Sequence, residues 1–271
     1  MKRLTIALAM AAAVCAVAVE SPRVISHRGG RAEYDDNAAG GFRKCLEAGV
    51  TGYETDIRMT KDLKLVIMHD GSVERTTEGK GTVEEMTFDE VTSLVLKRSR
   101  EKSPSLQQVL DVFKGRSDVD IELEMKVDSK FYAGENMEIY CRKLHDAAVA
   151  TLKPGTYTFT SFNRNGLKTM KRLFPDAPVG LIRSDALTKE FVDTAKSLGC
   201  CRVAPRMNGK KPGQVTTKEM VDYAHANGLK VTGWMVQNLP SWKVAKEAGC
   251  DCTTSDHPMA LLKAIRESDA K

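Results

Sequence analysis

Two acidic residues, Glu54 and Asp56, stand two positions apart in a run that is typical of a strand. Because side chains alternate along a strand, both would point to one face and could reach the same cation. Unpaired carboxylates this close raise each other's pKa, so a cation or basic side chains must balance them. Glu124, two residues before Lys126 in a later run, could add a third oxygen ligand. All-oxygen ligation predicts one divalent cation, Mg²⁺ or Ca²⁺, rather than zinc.

Two of the five histidines, His27 and His69, each follow directly after a short apolar run. A single histidine in such a place is usually structural, but two at strand ends beside a carboxylate cluster indicate a general acid and base pair. Arg28 and Lys126 would then face an anion, and phosphate suits both, since guanidinium binds it bidentately and ammonium acts as a point charge. Together these residues predict metal-assisted cleavage of a phosphodiester.

Short strand-like runs alternate with amphipathic segments along the chain, which favours parallel strands joined by helices. Eight strands are predicted, at Arg23–Ser26, Thr51–Ile57, Asp120–Lys126, Thr156–Thr160, Val179–Ile182, Cys201–Ala204, Lys230–Met235 and Cys252–Thr254. The predicted helices are Ala38–Gly49, Leu106–Lys114, Glu135–Ala150, Asn165–Phe174, Thr188–Leu198, Thr217–Asn227, Pro240–Ala248 and Pro258–Glu267.

This order of elements predicts an α/β fold, the (β/α)₈ TIM barrel, with a hairpin-like excursion after the second strand that begins at Leu63–Met68 and carries His69. Active sites of such barrels lie at the C-terminal ends of the strands, because the strand-to-helix loops gather there. The candidate residues fall at those ends, so we expect them to meet.

The start of the chain is typical of a secretory signal, since Lys2 and Arg3 precede an uncharged and mostly apolar stretch that ends at Val19. The stretch is too short and wrongly flanked for a stable membrane span. We predict a signal peptide over residues 1–18, a single barrel domain over residues 19–271, and export to the periplasm or the medium.

The net charge of +5 comes from basic residues spread along the chain. They form no nucleic-acid stripe, so nucleic acid is not an expected partner. Of seven cysteines, six remain if Cys15 leaves with the signal, and lipoprotein processing at Cys15 is the alternative. Export permits disulfides, and the six cysteines are either buried thiols or include one disulfide. The oligomeric state is not readable from the sequence.

At the residues that carry the chemistry, the sequence resembles the glycerophosphodiester phosphodiesterases. The matching motifs follow one another in order along the chain, which makes the combination specific although each piece is short. They are His27-Arg28-Gly29, Asp36-Asn37-Ala38, Glu54-Thr55-Asp56, His69-Asp70, Glu74-Arg75-Thr76-Thr77, Gly79-Lys80-Gly81, Ser103-Pro104-Ser105-Leu106, Glu124-Met125-Lys126, the segment around Trp234, and Thr254-Ser255-Asp256-His257-Pro258.

The resemblance implies a TIM barrel that hydrolyses glycerophosphodiesters to sn-glycerol 3-phosphate and an alcohol. It implies metal ligands at Glu54, Asp56 and Glu124, an acid and base at His27 and His69, and substrate contacts at Arg28, Lys126 and Trp234. Two residues depart from the family pattern: Asp36 replaces a glutamate, and Ala38 lacks a hydroxyl. Both bear on the first strand-to-helix loop and on substrate preference.

Two other functions are compatible with the same residues. A related barrel phosphodiesterase could act on intact phospholipid, but that would require an apolar interfacial surface at the barrel mouth, and none is evident. A non-catalytic phosphoester-binding protein could keep the barrel, but it would be expected to have lost a histidine or a ligand.

Overall fold

The chain folds into a closed barrel of parallel strands, which confirms the predicted (β/α)₈ TIM barrel. The computed structural model describes residues 21–209 and 213–270. The strands in these ranges are β1 (Arg23–His27), β2 (Gly52–Met59), β3 (Leu65–Ile67), β4 (Asp120–Met125), β5 (Tyr157–Ser161), β6 (Val179–Ile182), β7 (Arg202–Ala204), β8 (Lys230–Trp234) and β9 (Cys252–Ser255). Strand β1 pairs in parallel with both β2 and β9, which closes the barrel.

Each barrel strand is followed by at least one helix. These helices are α1 (Ala39–Glu47), α2 (Phe88–Ser93), α3 (Leu106–Leu110), α4 (Glu135–Thr151), α5 (Arg164–Leu173), α6 (Lys189–Ser197), α7 (Lys218–Ala226), α8 (Leu239–Glu247) and α9 (Pro258–Asp269). Several begin at a polar residue whose side chain accepts a backbone N–H of the first turn, as Thr188 and Thr217 do. The helix predicted over residues 106–114 is shorter, because α3 ends at Leu110 and the chain continues as a 3₁₀ turn over Asp111–Phe113.

The predicted excursion after β2 is present and begins with β3, which pairs antiparallel to β2 with Ile67 opposite Ile57. It continues through a 3₁₀ turn at Val83–Glu85 and through α2. It has a small core of its own, formed by Val66, Met68, Val73, Val83 and Val91. His69 therefore sits on a packed element rather than on a free loop.

The register between β2 and β4 places acidic residues side by side: Glu54 lies opposite Glu122, and Asp56 lies opposite Glu124. All of β2 is buried, because one face lines the barrel interior and the other packs against the surrounding helices. This register brings the predicted ligands of two strands to the same end of the barrel.

The described cysteines are all free, which agrees with the thiol alternative. No helix in residues 21–209 or 213–270 is long and apolar enough to cross a bilayer. The predicted signal segment, residues 1–18, lies outside the described residues, so it stays a prediction together with the domain boundary at residue 19.

Candidate active site

Three carboxylates meet at the C-terminal end of the barrel, as the sequence predicted. One oxygen from each of Glu54, Asp56 and Glu124 lies within 4.8 Å of the others, and all three residues are buried. Among the described groups, Glu54 Oε1 and Asp56 Oδ1 are buried without a hydrogen-bond partner. Buried acceptors left without donors are costly, so this donor set fits a hard divalent cation.

The three carboxylates differ in how readily they ionise. Burial raises the pKa of Glu54 well above its ordinary value, and the charges of Asp56 and Glu124 add to the shift. Burial also raises the pKa of Glu124, to about 7, although Lys126 opposes it. Burial acts to raise the pKa of Asp56, but Lys126, Arg28, His69 and the hydrogen bond from Asn37 together lower it. Asp56 is thus the most readily ionised of the three, and a further positive charge would favour ionisation of the other two.

The two basic residues predicted to contact phosphate lie on this cluster. Arg28 Nε is 3.2 Å from Asp56 Oδ2, and Arg28 Nη1 donates to Asp36 at 3.1 Å. Lys126 Nζ donates to Glu124 Oε1 at 2.8 Å and lies 3.6 Å from Asp56 Oδ1. Both cations therefore balance the carboxylates, and their contact with phosphate stays a prediction.

His27, the last residue of β1, is oriented by a residue to which the sequence analysis gave no role. Asp256 Oδ1 lies 2.5 Å from His27 Nδ1, which leaves Nε2 facing the carboxylates, 3.8 Å from Glu54 Oε2. Asp256 is fixed in turn by Gln237, whose Nε2 donates to Asp256 Oδ2 and whose Oε1 accepts from the Asp256 N–H. Burial lowers the pKa of His27 despite Asp256, which favours the neutral imidazole.

His69 has a similar but more accessible arrangement. Its Nδ1 lies 2.7 Å from Asp70 Oδ1, and Arg75 bridges Asp70 and Asp36. Burial lowers the pKa of His69, and the charge of Asp56 only partly offsets this. Each histidine thus has one ring nitrogen held by a carboxylate and the other free for chemistry.

Both histidines line one cavity of about 280 Å³ at the barrel mouth. One wall is charged and the other is apolar. The charged wall consists of His27, Arg28, Arg31, Glu54, His69, Glu122, Glu124 and Asp256, and the apolar wall includes Phe162, Ile182, Ala204, Trp234 and Met235. Asp56 and Lys126 lie behind this lining, in contact with its carboxylates.

Trp234, the predicted substrate contact, stands at the end of β8. Its Nε1 donates to the carbonyl of Ala204 at 2.8 Å, and the ring of Phe162 meets it edge-on at 6.0 Å between centroids. The indole face is thereby fixed as a wall of the cavity.

Three residues of the site escaped the sequence analysis. Asn37 Nδ2 donates to Asp56 Oδ2 at 2.8 Å, while Thr55 Oγ1 donates to Asn37 Oδ1 and fixes the amide. Asn37 and Asp256 both stand in motifs that the sequence displays, and Asp256 follows directly after the last strand, so a signal existed for both. Gln237 lies in the matching segment around Trp234, Val231 to Asn238, but the sequence analysis gave it no role.

The two departures from the family pattern have local consequences. Asp36 accepts hydrogen bonds from both Arg28 and Arg75, so the shorter acid still joins the first loop to the excursion. Ala38 is the N-cap of α1, and it offers no side-chain hydrogen bond there. A hydroxyl at that position would satisfy one of the free N–H groups of the first turn.

The glycerophosphoryl diester phosphodiesterase family profile matches residues 27–260. A glycerophosphodiester phosphodiesterase of Caldanaerobacter subterraneus subsp. tengcongensis is 26% identical over 254 residues, which cover 90% of this chain and 98% of the relative. A protein of the same name from Bacillus altitudinis is 26% identical over 259 residues, with 90% and 98% covered.

Solved structures of other proteins have the same fold as this chain. An Oleispira antarctica phosphodiesterase in complex with the product sn-glycerol-3-phosphate superposes with a TM-score of 0.78 at 21% identity, covering 90% of this chain and 97% of that one. A Galdieria sulphuraria protein described as a putative glycerophosphodiester phosphodiesterase gives a TM-score of 0.80 at 22% identity, with 92% and 99% covered. The family match spans most of the chain, and this enzyme therefore belongs to the glycerophosphoryl diester phosphodiesterase family, as its sequence motifs predicted.

Proposed function

We propose that this enzyme hydrolyses glycerophosphodiesters to sn-glycerol 3-phosphate and an alcohol, with one divalent cation and with two histidines as acid and base. The observation that carries the proposal is that the carboxylates of Glu54, Asp56 and Glu124 meet at the cavity that His27 and His69 line. The product bound in the Oleispira antarctica phosphodiesterase supports the glycerophosphate half of the substrate. The alcohol half is left open.

Glu54, Asp56 and Glu124 would hold the cation, either Mg²⁺ or Ca²⁺. When bound, it polarises a phosphoryl oxygen and stabilises the charge that develops during cleavage. The buried oxygens of Glu54 and Asp56 that lack a hydrogen-bond partner among the described residues support this assignment. Arg28, whose backbone N–H donates to Glu54 Oε2 at 3.0 Å, keeps the ligand oriented.

Cation binding is expected to weaken as the pH falls from about 8 to 6. Glu124, with a pKa raised to about 7 by burial, and Glu54, whose pKa burial also raises, must lose their protons before they ligate a cation. Each displaced proton lowers the affinity by up to about tenfold per pH unit below the pKa of its group. Calorimetry with Mg²⁺ or Ca²⁺ at several pH values between 6 and 8 measures the affinity, and repeating it at pH 7 in two buffers of different ionisation enthalpy counts the protons released. An affinity that is constant over this pH range would contradict the assigned ligands.

The histidines divide the proton transfers. His27 and His69 line the same cavity, each with one ring nitrogen held by a carboxylate, so one would take the proton of the nucleophile while the other protonates the leaving alkoxide. Arg28 faces the same cavity and supplies N–H donors for the phosphate. Trp234 would contact the substrate from the opposite wall, and Lys126 would add positive charge behind the carboxylates.

The direct test is release of glycerol 3-phosphate from glycerophosphocholine and glycerophosphoethanolamine, after chelation and again with Mg²⁺ or Ca²⁺ restored. Release that depends on the cation supports the proposal. No release under either cation from a folded protein would contradict it, and cleavage of an intact phospholipid instead would indicate the related lipid activity.

An ester with a p-nitrophenyl leaving group assigns the two histidines. Such a leaving group departs without a proton, so replacing the general acid costs little with this ester and about 10²–10⁴-fold with glycerophosphocholine. Replacing the base lowers both rates. We expect one of the variants His27→Ala and His69→Ala to lose activity mainly with glycerophosphocholine, and the other to lose activity with both esters. Equal losses on both esters for both variants would contradict the division of roles.

Export to the periplasm or the medium is proposed from the start of the sequence alone. Amino-terminal sequencing of the mature protein, after separation of the cell fractions, tests it. Mature protein that begins near residue 19 outside the cytoplasm is the expected result.

A further inference from the structure

Arg58 is a buried arginine of β2, two residues beyond Asp56 and on the same face of the strand. Its side chain is 3% exposed. All five of its N–H hydrogens have an acceptor. Nε and Nη2 donate to the carbonyl of His69 at 3.1 and 2.9 Å, Nη1 donates to Glu84 and Asp128 at 2.8 and 2.9 Å, and Nη2 also donates to Asp128 at 2.9 Å.

These bonds join the segments that carry the site. Arg58 belongs to the strand of Glu54 and Asp56, His69 belongs to the excursion, and Asp128 lies two residues beyond Lys126. The second acceptor, Glu84, also accepts from the Tyr132 hydroxyl at 3.0 Å. One guanidinium therefore fixes the distance from the backbone of His69 to the carboxylate cluster.

We propose that Arg58 is a positioning residue for His69 and that it acts through the His69 carbonyl rather than on the substrate. The proposal rests on the acid or base role of His69 proposed above. The planar guanidinium reaches three acceptors in fixed directions, which a lysine ammonium does not. Displacing a reacting group by about 1 Å costs about 10²-fold in rate. Loss of the hydrogen bonds from Arg58 to the His69 carbonyl, which we call the anchor, should therefore lower the rate through the position of His69.

The first variant is Arg58→Lys, which keeps the charge but cannot span His69, Glu84 and Asp128 together. Its kcat with glycerophosphocholine is expected to fall about 10- to 100-fold, with KM changed less than about threefold. The affinity for Mg²⁺ or Ca²⁺ stays within about twofold of wild type, because the carboxylates keep their places.

The second variant, Asp128→Asn, tests the proposal if Arg58→Lys does not fold. The Asp128 side chain is 59% exposed, so this change should leave folding intact. It weakens the anchor at its exposed end, and kcat is expected to fall less, by about 3- to 10-fold. Arg172→Lys is the matched control, since Arg172 pairs with Glu138 on the outside of the barrel and should leave kcat unchanged.

A double-mutant cycle separates positioning from a merely structural role. If Arg58 acts through His69, Arg58→Lys costs less than about twofold in the His69→Ala background, measured on the residual rate. An equal loss in both backgrounds would overturn the proposal, as would unchanged kcat in both anchor variants. If His69→Ala alone keeps the wild-type rate, the proposed role of His69 fails, and Arg58 has no catalytic group to position.

Discussion

Replacing Glu54 with glutamine is expected to remove cation binding and lower kcat/KM by about 10³-fold or more, without destabilising the cation-free protein. The buried oxygen of Glu54 that lacks a partner is lost as an anionic ligand. Folding does not suffer, because burial and its acidic neighbours already raise the pKa of Glu54 and favour the neutral acid that glutamine imitates. Thermal unfolding with and without Mg²⁺ or Ca²⁺ measures stability and cation binding, and release of glycerol 3-phosphate from glycerophosphocholine measures kcat/KM.

At a cation concentration 100 times the Kd, the free energy of unfolding of the wild-type protein should rise by about 2.7 kcal/mol. This corresponds to a rise of roughly 5–11 °C in Tm. Glu54→Gln should show almost none of this gain. Glu247→Gln, at the exposed end of α8, makes the same chemical change away from the site and should behave as wild type. A Glu54→Gln protein that still gains Tm from the cation would show that the ion binds elsewhere.

This expected stability reflects a conflict in the site. Three buried carboxylates share one end of the barrel, and burial raises the pKa of both Glu54 and Glu124, whereas nearby cations and the amide of Asn37 lower that of Asp56. The fold tolerates this unfavourable arrangement because the surrounding barrel is well packed, and a bound cation would relieve it. Function and stability therefore oppose each other here, as they often do in active sites.

The sequence predicted the barrel and the meeting of its acidic residues because both follow from local rules. Alternation of strand and helix patterns implies parallel strands, and the two-residue spacing of Glu54 and Asp56 puts both on one face. Strand β4 then had to lie beside β2 with Asp56 opposite Glu124, a register that short-range patterns do not give. The predicted barrel, in which consecutive strands lie side by side, supplied the neighbour relation but not the register, and the family resemblance implied the same three ligands.

The residues that were missed act through side-chain contacts that only the finished fold brings together. Asp256 reaches His27 across the closure of the barrel between β1 and β9, a separation of 229 residues. In the sequence, Arg58 is one residue of a strand and has no distinguishing pattern. In the folded chain, the excursion packs over it, and its guanidinium donates to the His69 carbonyl. Contacts of this kind depend on side-chain reach in the finished fold, so spacing alone does not reveal them.

The pair of His27 and Asp256 predicts which proton His27 carries. Since Asp256 Oδ1 accepts from Nδ1, Nε2 is the free nitrogen of the neutral ring. Gln237 cannot exchange its two amide atoms, because its Oε1 already accepts from the Asp256 backbone while its Nε2 donates to Oδ2. An asparagine at position 256 must therefore offer its oxygen to Gln237 and its NH₂ to His27. The imidazole would then carry its proton on Nε2, which is the wrong tautomer if His27 is the general base.

Asp256→Asn is accordingly expected to lower kcat by about 10²-fold or more with KM changed only a few-fold, while His27→Ala costs about 10²–10⁴-fold. The loss arises from a change in tautomer and not in folding, since the two side chains have the same shape and the barrel packing is untouched. Asp146→Asn is the matched control, because Asp146 is an exposed residue of α4 that is paired with His145 and does not line the cavity. Steady-state kinetics measures the loss, and ¹⁵N chemical shifts of the His27 ring report which nitrogen is protonated. A variant that keeps full activity with its proton moved to Nε2 would show that His27 does not act as the base.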